Sequence, residues 1–311
     1  SLTGQNTDNL KDEIKRGLTI DIGFAHLNDN ISIIDVPGHE KFIKNMVSGV
    51  NAIDSAILVI AADDGIMPQT KEHFDILKIL NINSGIIVIN KIDLVDSEWL
   101  NLVINEVKSF IKNSFLENAK IIEVSTVSNI GINSLKEEIL NLSNNTKKRF
   151  DREVFRMFID RVFIKKGFGT VVTGTVLSGI VDDNSKINLL PSNELVNVRS
   201  MQSHNSKVSK VEIGSRTAIN IQNIDKRKVF RGSHLGDIGY FHLVKNAIVK
   251  IELVKDIKHN QRIRIHLGTQ EIIARIFFAD KKVNNVALLK FEKEIICSFK
   301  DRFIIRNFSP M

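Results

Sequence analysis

Cysteine is almost missing from this chain: Cys297 is the only one in 311 residues, so no internal disulfide can form. A single thiol fits a reducing, cytoplasmic compartment. Long hydrophobic runs are missing too. The longest, from Ala56 to Ala62, falls far short of the roughly 20 apolar residues that span a bilayer. Neither end carries a signal-peptide pattern or a lipidation motif, so no membrane partner is expected. The first residue is Ser, not Met, which points to a non-native N-terminus. The rest of the composition is ordinary. With 43% hydrophobic and 25% charged residues, the chain can bury two or three separate cores. A net charge of +7 suits a solvated basic surface or a polyanionic partner such as RNA, and charge alone does not choose between them.

The texture of the sequence changes once. Residues 1–149 alternate short apolar runs with longer amphipathic ones. Strands are predicted at 18–24, 32–36, 56–61, 85–90 and 121–125, and helices at 69–80, 99–113 and 134–142. The last helix is expected to open on a capping box, Ser134 with Glu137. Strand followed by helix, repeated, implies a mostly parallel sheet covered on both faces. A polar, basic linker is expected at 143–151. Beyond it, short β-branched runs such as Val171-Val172-Thr173-Gly174-Thr175-Val176 stand between glycine turns, with no sustained helical period. That pattern predicts β-barrel domains. A turn-rich stretch ending at Gly239 divides them, giving domains at 1–149, 150–238 and 239–311.

Three polar clusters stand at predicted strand ends. Asp35-Val36-Pro37-Gly38-His39 follows the second strand. A carboxylate there can hold a magnesium ion through water. Gly38, three residues on, lets a backbone N–H approach a phosphate closely. Asn90-Lys91-Ile92-Asp93 ends another strand. The Asp93 carboxylate can accept both N–H groups of a guanine edge, a pair that adenine does not offer. The Lys91 stem can cover the base face. Ser125-Thr126 ends the last strand and can offer a backbone N–H to the guanine oxygen. Each cluster alone reads as a polar turn after a strand. Their order, spacing and shared position at strand ends point to a GTPase domain of the Ras-like class, with GTP, GDP and Mg2+ as ligands.

Arg16-Gly17-Leu18-Thr19-Ile20 and the Asp35-to-His39 segment resemble translational GTPases. In that family the Arg-Gly-x-Thr segment forms the first switch, which implies that Thr19 ligates magnesium when a γ-phosphate is present. His39 resembles the residue that positions the attacking water. Gly167-Phe168-Gly169-Thr170 through Val176, followed by Ser178-Gly179, resembles the second domain of elongation factors. Within that group the whole chain is similar to the SelB family, the selenocysteine-specific elongation factors. The pieces that carry this are Leu2-Thr3-Gly4 with Thr7-Asp8, the run from Lys15 to Phe24, and Phe155-Arg156 to Arg161. Gly214-Ser215-Arg216-Thr217-Ala218, His266-Leu267-Gly268-Thr269 and Arg306-Asn307-Phe308-Ser309-Pro310 extend it.

This resemblance implies a carrier of selenocysteinyl-tRNA that acts on the ribosome as a monomer. It implies a pocket for the selenocysteinyl group built from Phe24, Asp160, Arg161 and Arg216, near His39. A selenol is largely ionised at neutral pH and a serine hydroxyl is not, so a cationic pocket prefers the former. The family grips a selenocysteine-insertion mRNA hairpin through a C-terminal region that these residues do not include. Two other readings stay open: a general elongation or initiation GTPase for another aminoacyl-tRNA, and a non-catalytic RNA-binding scaffold.

The scaffold reading draws on one more absence. The phosphate loop, Gly-x-x-x-x-Gly-Lys-Ser/Thr, occurs nowhere in the chain. In the family it lies just ahead of the residues that match Leu2-Thr3-Gly4, after a central first strand. The expectation is therefore a truncated GTPase domain with unpaired strand edges in mid-sheet, weak or absent GTP binding by these 311 residues, and a third domain short of its last strand.

Overall fold

In the computed structural model, residues 1–5, 7, 22–38, 53–146, 151–165, 169–204, 206–253, 256–279 and 285–307 are described. Two units divide the chain, Ser1–Arg149 and Phe150–Met311.

The first unit holds two separate sheets. β1 (Gly23–Asn28) and β2 (Ile31–Asp35) form an antiparallel hairpin. β3 (Ala56–Ala61), β4 (Gly85–Asn90) and β5 (Ile121–Glu123) form a parallel sheet with β4 in the middle. The near-continuous apolar run of β4 is what a strand buried on both faces requires. Its side chains alternate between two cores. Ile87 and Ile89 join Phe74 of helix α1 (Pro68–Ile79) and Val103, Val107 and Ile111 of helix α2 (Ser97–Ile111). Ile86 and Val88 face the other way, onto Ile132, Leu135 and Ile139 of helix α3 (Ile132–Asn145). Leu27 and Ile31 of the hairpin pack on this second core.

The β3-β4-β5 sheet is parallel, as expected, and the hairpin is the one antiparallel pair among the described strands of this unit. Only Asp29 and Asn30 separate β1 from β2, too few residues for the crossover that parallel strands need. Among the described residues β2 and β3 share no hydrogen-bonded ladder. Residues 18–21 of the first predicted strand lie outside the described set, and the described strand runs on to Asn28. The capping box at Ser134 is corrected. Helix α3 begins at Ile132 on Gly131, which has φ 72° and no side-chain cap. A Cβ on Gly131 would sit 2.1 Å from the Glu123 carbonyl oxygen, so a close approach to β5 fixes this helix start. The helix also runs into the linker expected from residue 143, as far as Asn145.

The second unit is almost wholly β. Its strands are β6 (Arg156–Phe158), β7 (Arg161–Lys165), β8 (Gly169–Ser178), β9 (Ile180–Asp182), β10 (Lys186–Leu190), β11 (Glu194–Ser203), β12 (Ser206–Val208), β13 (Lys210–Glu212), β14 (Arg216–Gln222) and β15 (His234–Gly236). Six of them close a barrel: β10, β15, β6, β8, β14 and β11 pair in turn, and β11 pairs back to β10. Met157, Val172, Val176, Leu189, Val196 and Ile219 fill it. Next come β16 (Leu243–Lys250), β17 (Gln261–Leu267), β18 (Gln270–Phe278), β19 (Val286–Ile296) and β20 (Ile304–Asn307). They form an antiparallel sheet in the order β16-β19-β18-β17-β20 around a core that includes Ile263, Ala274 and Leu289.

The domain boundary expected near residue 239 falls between β15 and β16. The two β layers are stitched together across it. Phe158 of β6 belongs to the second core, and Thr269 donates its hydroxyl to the Ile159 carbonyl at 2.8 Å. Gly268 lies so close to the Phe158 ring that a Cβ would meet it at 2.5 Å. No helix among the described residues is long and apolar enough to cross a membrane.

Candidate functional site

Asp35 stands at the end of β2, where its Oδ2 accepts a hydrogen bond from the Thr7 hydroxyl at 2.7 Å. Gly23, across the hairpin, makes room for this contact: a Cβ there would lie 2.6 Å from Thr7 Cβ. Gly38 is exposed, and a Cβ built on it would meet no atom of the described residues within 4 Å. Thr19 and His39 lie outside the described residues.

At the end of β4 the chain turns sharply. Lys91 has φ 61° and ψ 34°, the left-handed region, and a single 3-10 turn, Ile92–Leu94, follows. The Ile92 amide reaches the Val124 carbonyl at 3.4 Å, tying this turn to the end of β5. The Asn90 side-chain oxygen is buried and has no hydrogen-bond partner among the described residues. A buried acceptor left this way costs about 1–3 kcal/mol, so a missing donor is implied. Asp93 is exposed at the same turn. Lys91 Nζ donates to Asp63 Oδ1 and Oδ2 at 3.0 and 2.9 Å and lies 3.6 Å from Asp64 Oδ2. The ammonium holds the Asp63 carboxyl below its ordinary pKa, and the carboxylate raises that of Lys91 in return.

The third cluster is tighter than expected. Ser125 is fully buried, and its N–H donates to the Ile130 carbonyl at 3.1 Å. Its hydroxyl accepts from the Ser128 amide at 3.1 Å. The Ser125 N–H is thus occupied within the loop, which leaves the exposed Thr126 as the next amide along the chain.

In the second unit, Asp160 and Arg216 meet. Arg216 donates from both terminal nitrogens to the Asp160 carboxylate, one contact measuring 3.0 Å, and the two side chains are only 10–13% exposed. Thr173 adds its hydroxyl to the same carboxylate at 2.7 Å, while the Asp160 amide donates to the Thr173 carbonyl at 2.9 Å. Arg161 pairs with Thr173 across β7 and β8, and Ala218 pairs with Thr173 across β8 and β14. These side chains share the outer face of the barrel, because Val172 and Val176 fill its inside. Phe24 is a half-buried residue of β1 in the first unit.

Three residues were not singled out for these roles by their sequence pattern: Thr7 on Asp35, Asp63 on Lys91 and Thr173 on Asp160. The only advance signal for Asp63 was its place after a strand predicted to run parallel to the one that ends at Asn90.

The Elongation factor Tu GTP binding domain model matches residues 2–145. The beta-barrel domain model of the selenocysteine-specific elongation factor matches residues 244–310. The selenocysteine-specific elongation factor of Desulfomicrobium baculatum is 39% identical over 100% of this chain and 51% of its own length. That of Escherichia coli is 33% identical over 99% of the chain and 50% of its own. A crystal structure of the bacterial factor EF-Sec superposes with a TM-score of 0.92 at 35% identity, covering 99% of this chain and 53% of that one. The chain spans about half the length of the curated relatives it matches.

Proposed function

The chain belongs to the family of selenocysteine-specific elongation factors, and on that premise we propose that it forms the GTPase and barrel part of a factor delivering selenocysteinyl-tRNA to the ribosome at recoded codons. GTP and GDP would be held by Asp35, Gly38, Asn90, Lys91, Asp93 and the Ser125–Thr126 turn. Mg2+ would be held by Thr19 and, through water, by Asp35, and would supply positive charge beside the phosphates. His39 would orient the attacking water. The observation that carries the reading is the Asn90–Asp93 turn. It sets a buried, partnerless amide oxygen and an exposed carboxylate three residues apart on one strand end. Among the described residues no side chain or backbone group pairs with either, and the edge of a guanine base fits them.

The selenocysteinyl group would be read by Arg161 and the Asp160–Arg216 pair. A basic site of this kind favours an ionised selenol over a neutral hydroxyl. An mRNA hairpin would be bound by sequence outside these 311 residues, and the factor would act as a monomer.

The 311 residues alone are proposed to hold GTP weakly, since no Gly-x-x-x-x-Gly-Lys-Ser/Thr cradle occurs in them and β2 and β3 share no ladder among the described residues. Calorimetric titration tests this. Tight, magnesium-dependent GTP binding by the 311-residue chain overturns that part. Equal affinity of the full-length GTP-bound protein for selenocysteinyl- and seryl-tRNA overturns the choice of cargo. The net charge of +7 supports a second reading, a non-catalytic RNA-binding scaffold. Guanine-nucleotide-dependent tRNA binding by the full-length protein would exclude it.

A further inference from the structure

β3 and β4 run parallel with Ala61 opposite Asn90. The residues just beyond each strand end therefore emerge side by side. Asp63 follows β3, Lys91 follows β4, and the ion pair between them closes this gap. The loop that carries the acid is itself fixed on three sides. The Ala62 amide donates to the Asn90 carbonyl at 2.8 Å. The Trp99 indole N–H, from the first turn of α2, donates to the Ala62 carbonyl at 2.9 Å. The Asp64 and Gly65 amides turn back onto the Ala61 carbonyl at 3.3 and 2.9 Å. Asp63 is thus held in place by its backbone, and Lys91, in a left-handed conformation that a residue with a Cβ rarely adopts, is aimed at it.

We propose that Asp63 is a positioning residue for the guanine nucleotide, holding the Lys91 side chain stretched across the base face before any ligand arrives. The proposal rests on the reading of Asn90–Asp93 as the base site. A lysine with a free end must give up its rotamer freedom when a ligand packs on it, at roughly 0.5–1.5 kcal/mol per side chain. Anchored at its ammonium, Lys91 loses that freedom in the empty protein. Its methylenes then offer the base a fixed apolar strip. This help acts on the flat face of a purine, not on its edge. It must therefore be blind to the 2-amino group, which is the business of Asp93.

The test uses the full-length protein as wild type, Asp63→Ala and Asp63→Asn, with two measurements. The first is the rate of Lys91 acylation by acetic anhydride, followed by mass spectrometry. Loss of the carboxylate should speed it several-fold. The second is the affinity for GDP and for IDP, which lacks the 2-amino group. Both should weaken by the same factor, about 3- to 10-fold, in Asp63→Ala. Asp63→Asn keeps the shape without the charge and carries both comparisons if the alanine variant does not fold. An unchanged acylation rate overturns the proposal, because the ion pair then does not govern Lys91 in solution. Faster acylation with unchanged affinities overturns it as well. A loss confined to GDP does the same, since it would put Asp63 on the base edge. A wild-type protein that binds neither nucleotide overturns the base-site reading first and the proposal with it.

Discussion

Arg156 and Asp301 meet across the seam between the two β layers, the guanidinium donating from two nitrogens to two carboxylate oxygens at 2.7 and 2.9 Å. The Arg156 side chain is 5% exposed and that of Asp301 13%. The Phe158 and Phe241 rings lie 4.7 and 5.4 Å from the guanidinium carbon. Asp301 also accepts from the Ser298 amide at 2.8 Å, so its position is set by its own turn. One residue near each end of the second unit is thereby locked to the other, 145 positions apart.

Removing one member of this pair leaves the other charge buried. Arg156→Ala or Asp301→Ala is expected to destabilise the second unit by about 3–5 kcal/mol. Replacing both together, Arg156→Met with Asp301→Leu, is expected to cost much less than either alone. Urea unfolding followed by circular dichroism measures this. Single and double variants that cost the same would mean the pair is not coupled.

His234 gives this seam a pH limb. It is fully buried, its ring centroid is 4.0 Å from that of Phe158, and its Nε2 has no partner among the described residues. Burial first, and the nearby Arg156 charge second, push its pKa well below the ordinary value. The unfolded chain therefore binds a proton that the folded one refuses. Stability from this residue is fully present above about pH 6.5 and declines as pH falls, by at most about 1.4 kcal/mol per unit. His73 in the first unit is shifted the same way by burial, so the readout is the difference from wild type. His234→Gln is expected to flatten the decline between pH 7 and 5. An unaltered profile would place the acid sensitivity elsewhere.

Gly131 leaves the least room for a Cβ of the described glycines in the nucleotide unit. Its φ is 72°, and a Cβ would come within 2.1 Å of the Glu123 carbonyl oxygen. Gly131→Ala combines a left-handed residue with a backbone clash and is expected to cost about 2 kcal/mol or more. The loop it closes holds Ser125, so guanine-nucleotide affinity of the full-length protein should fall with stability. Thermal melting and GDP titration on the same samples check both.

The difference between Gly131 and its neighbours shows what a sequence reading can reach. The predicted strands 56–61 and 85–90 agree with β3 and β4 residue for residue, because their apolar runs end abruptly at polar residues. The start of α3 was misplaced by two residues, since the constraint on Gly131 is a contact with Glu123, eight positions earlier. Local capping rules do not contain that contact. The base-directed residues Asn90 and Asp93 were legible because their chemistry lies in a four-residue motif. Asp63 was not, because its tie to Lys91 exists only once β3 and β4 have paired in parallel register. The link from Thr173 to Asp160 likewise depends on barrel register, with a strand reversal between the two.

Arg161 and Arg216 are expected to separate into two jobs. Arg216 is engaged at both terminal nitrogens by Asp160, in a pair 10–13% exposed. Arg216→Ala strands the Asp160 carboxylate with only the Thr173 hydroxyl beside it. The first consequence should be lost barrel stability, about 3–5 kcal/mol. The pair has no net charge, and Arg161 adds one guanidinium on the same face. Arg161 is half-buried at the edge strand β7. Arg161→Gln is expected to lower the melting temperature less than Arg216→Ala does and to erode discrimination between selenocysteinyl- and seryl-tRNA by roughly tenfold, a loss of about 1.4 kcal/mol. Filter binding of both tRNAs to the full-length variants, beside melting curves of each, decides it. The assignment fails if Arg161→Gln keeps full discrimination while Arg216→Ala abolishes it without loss of stability.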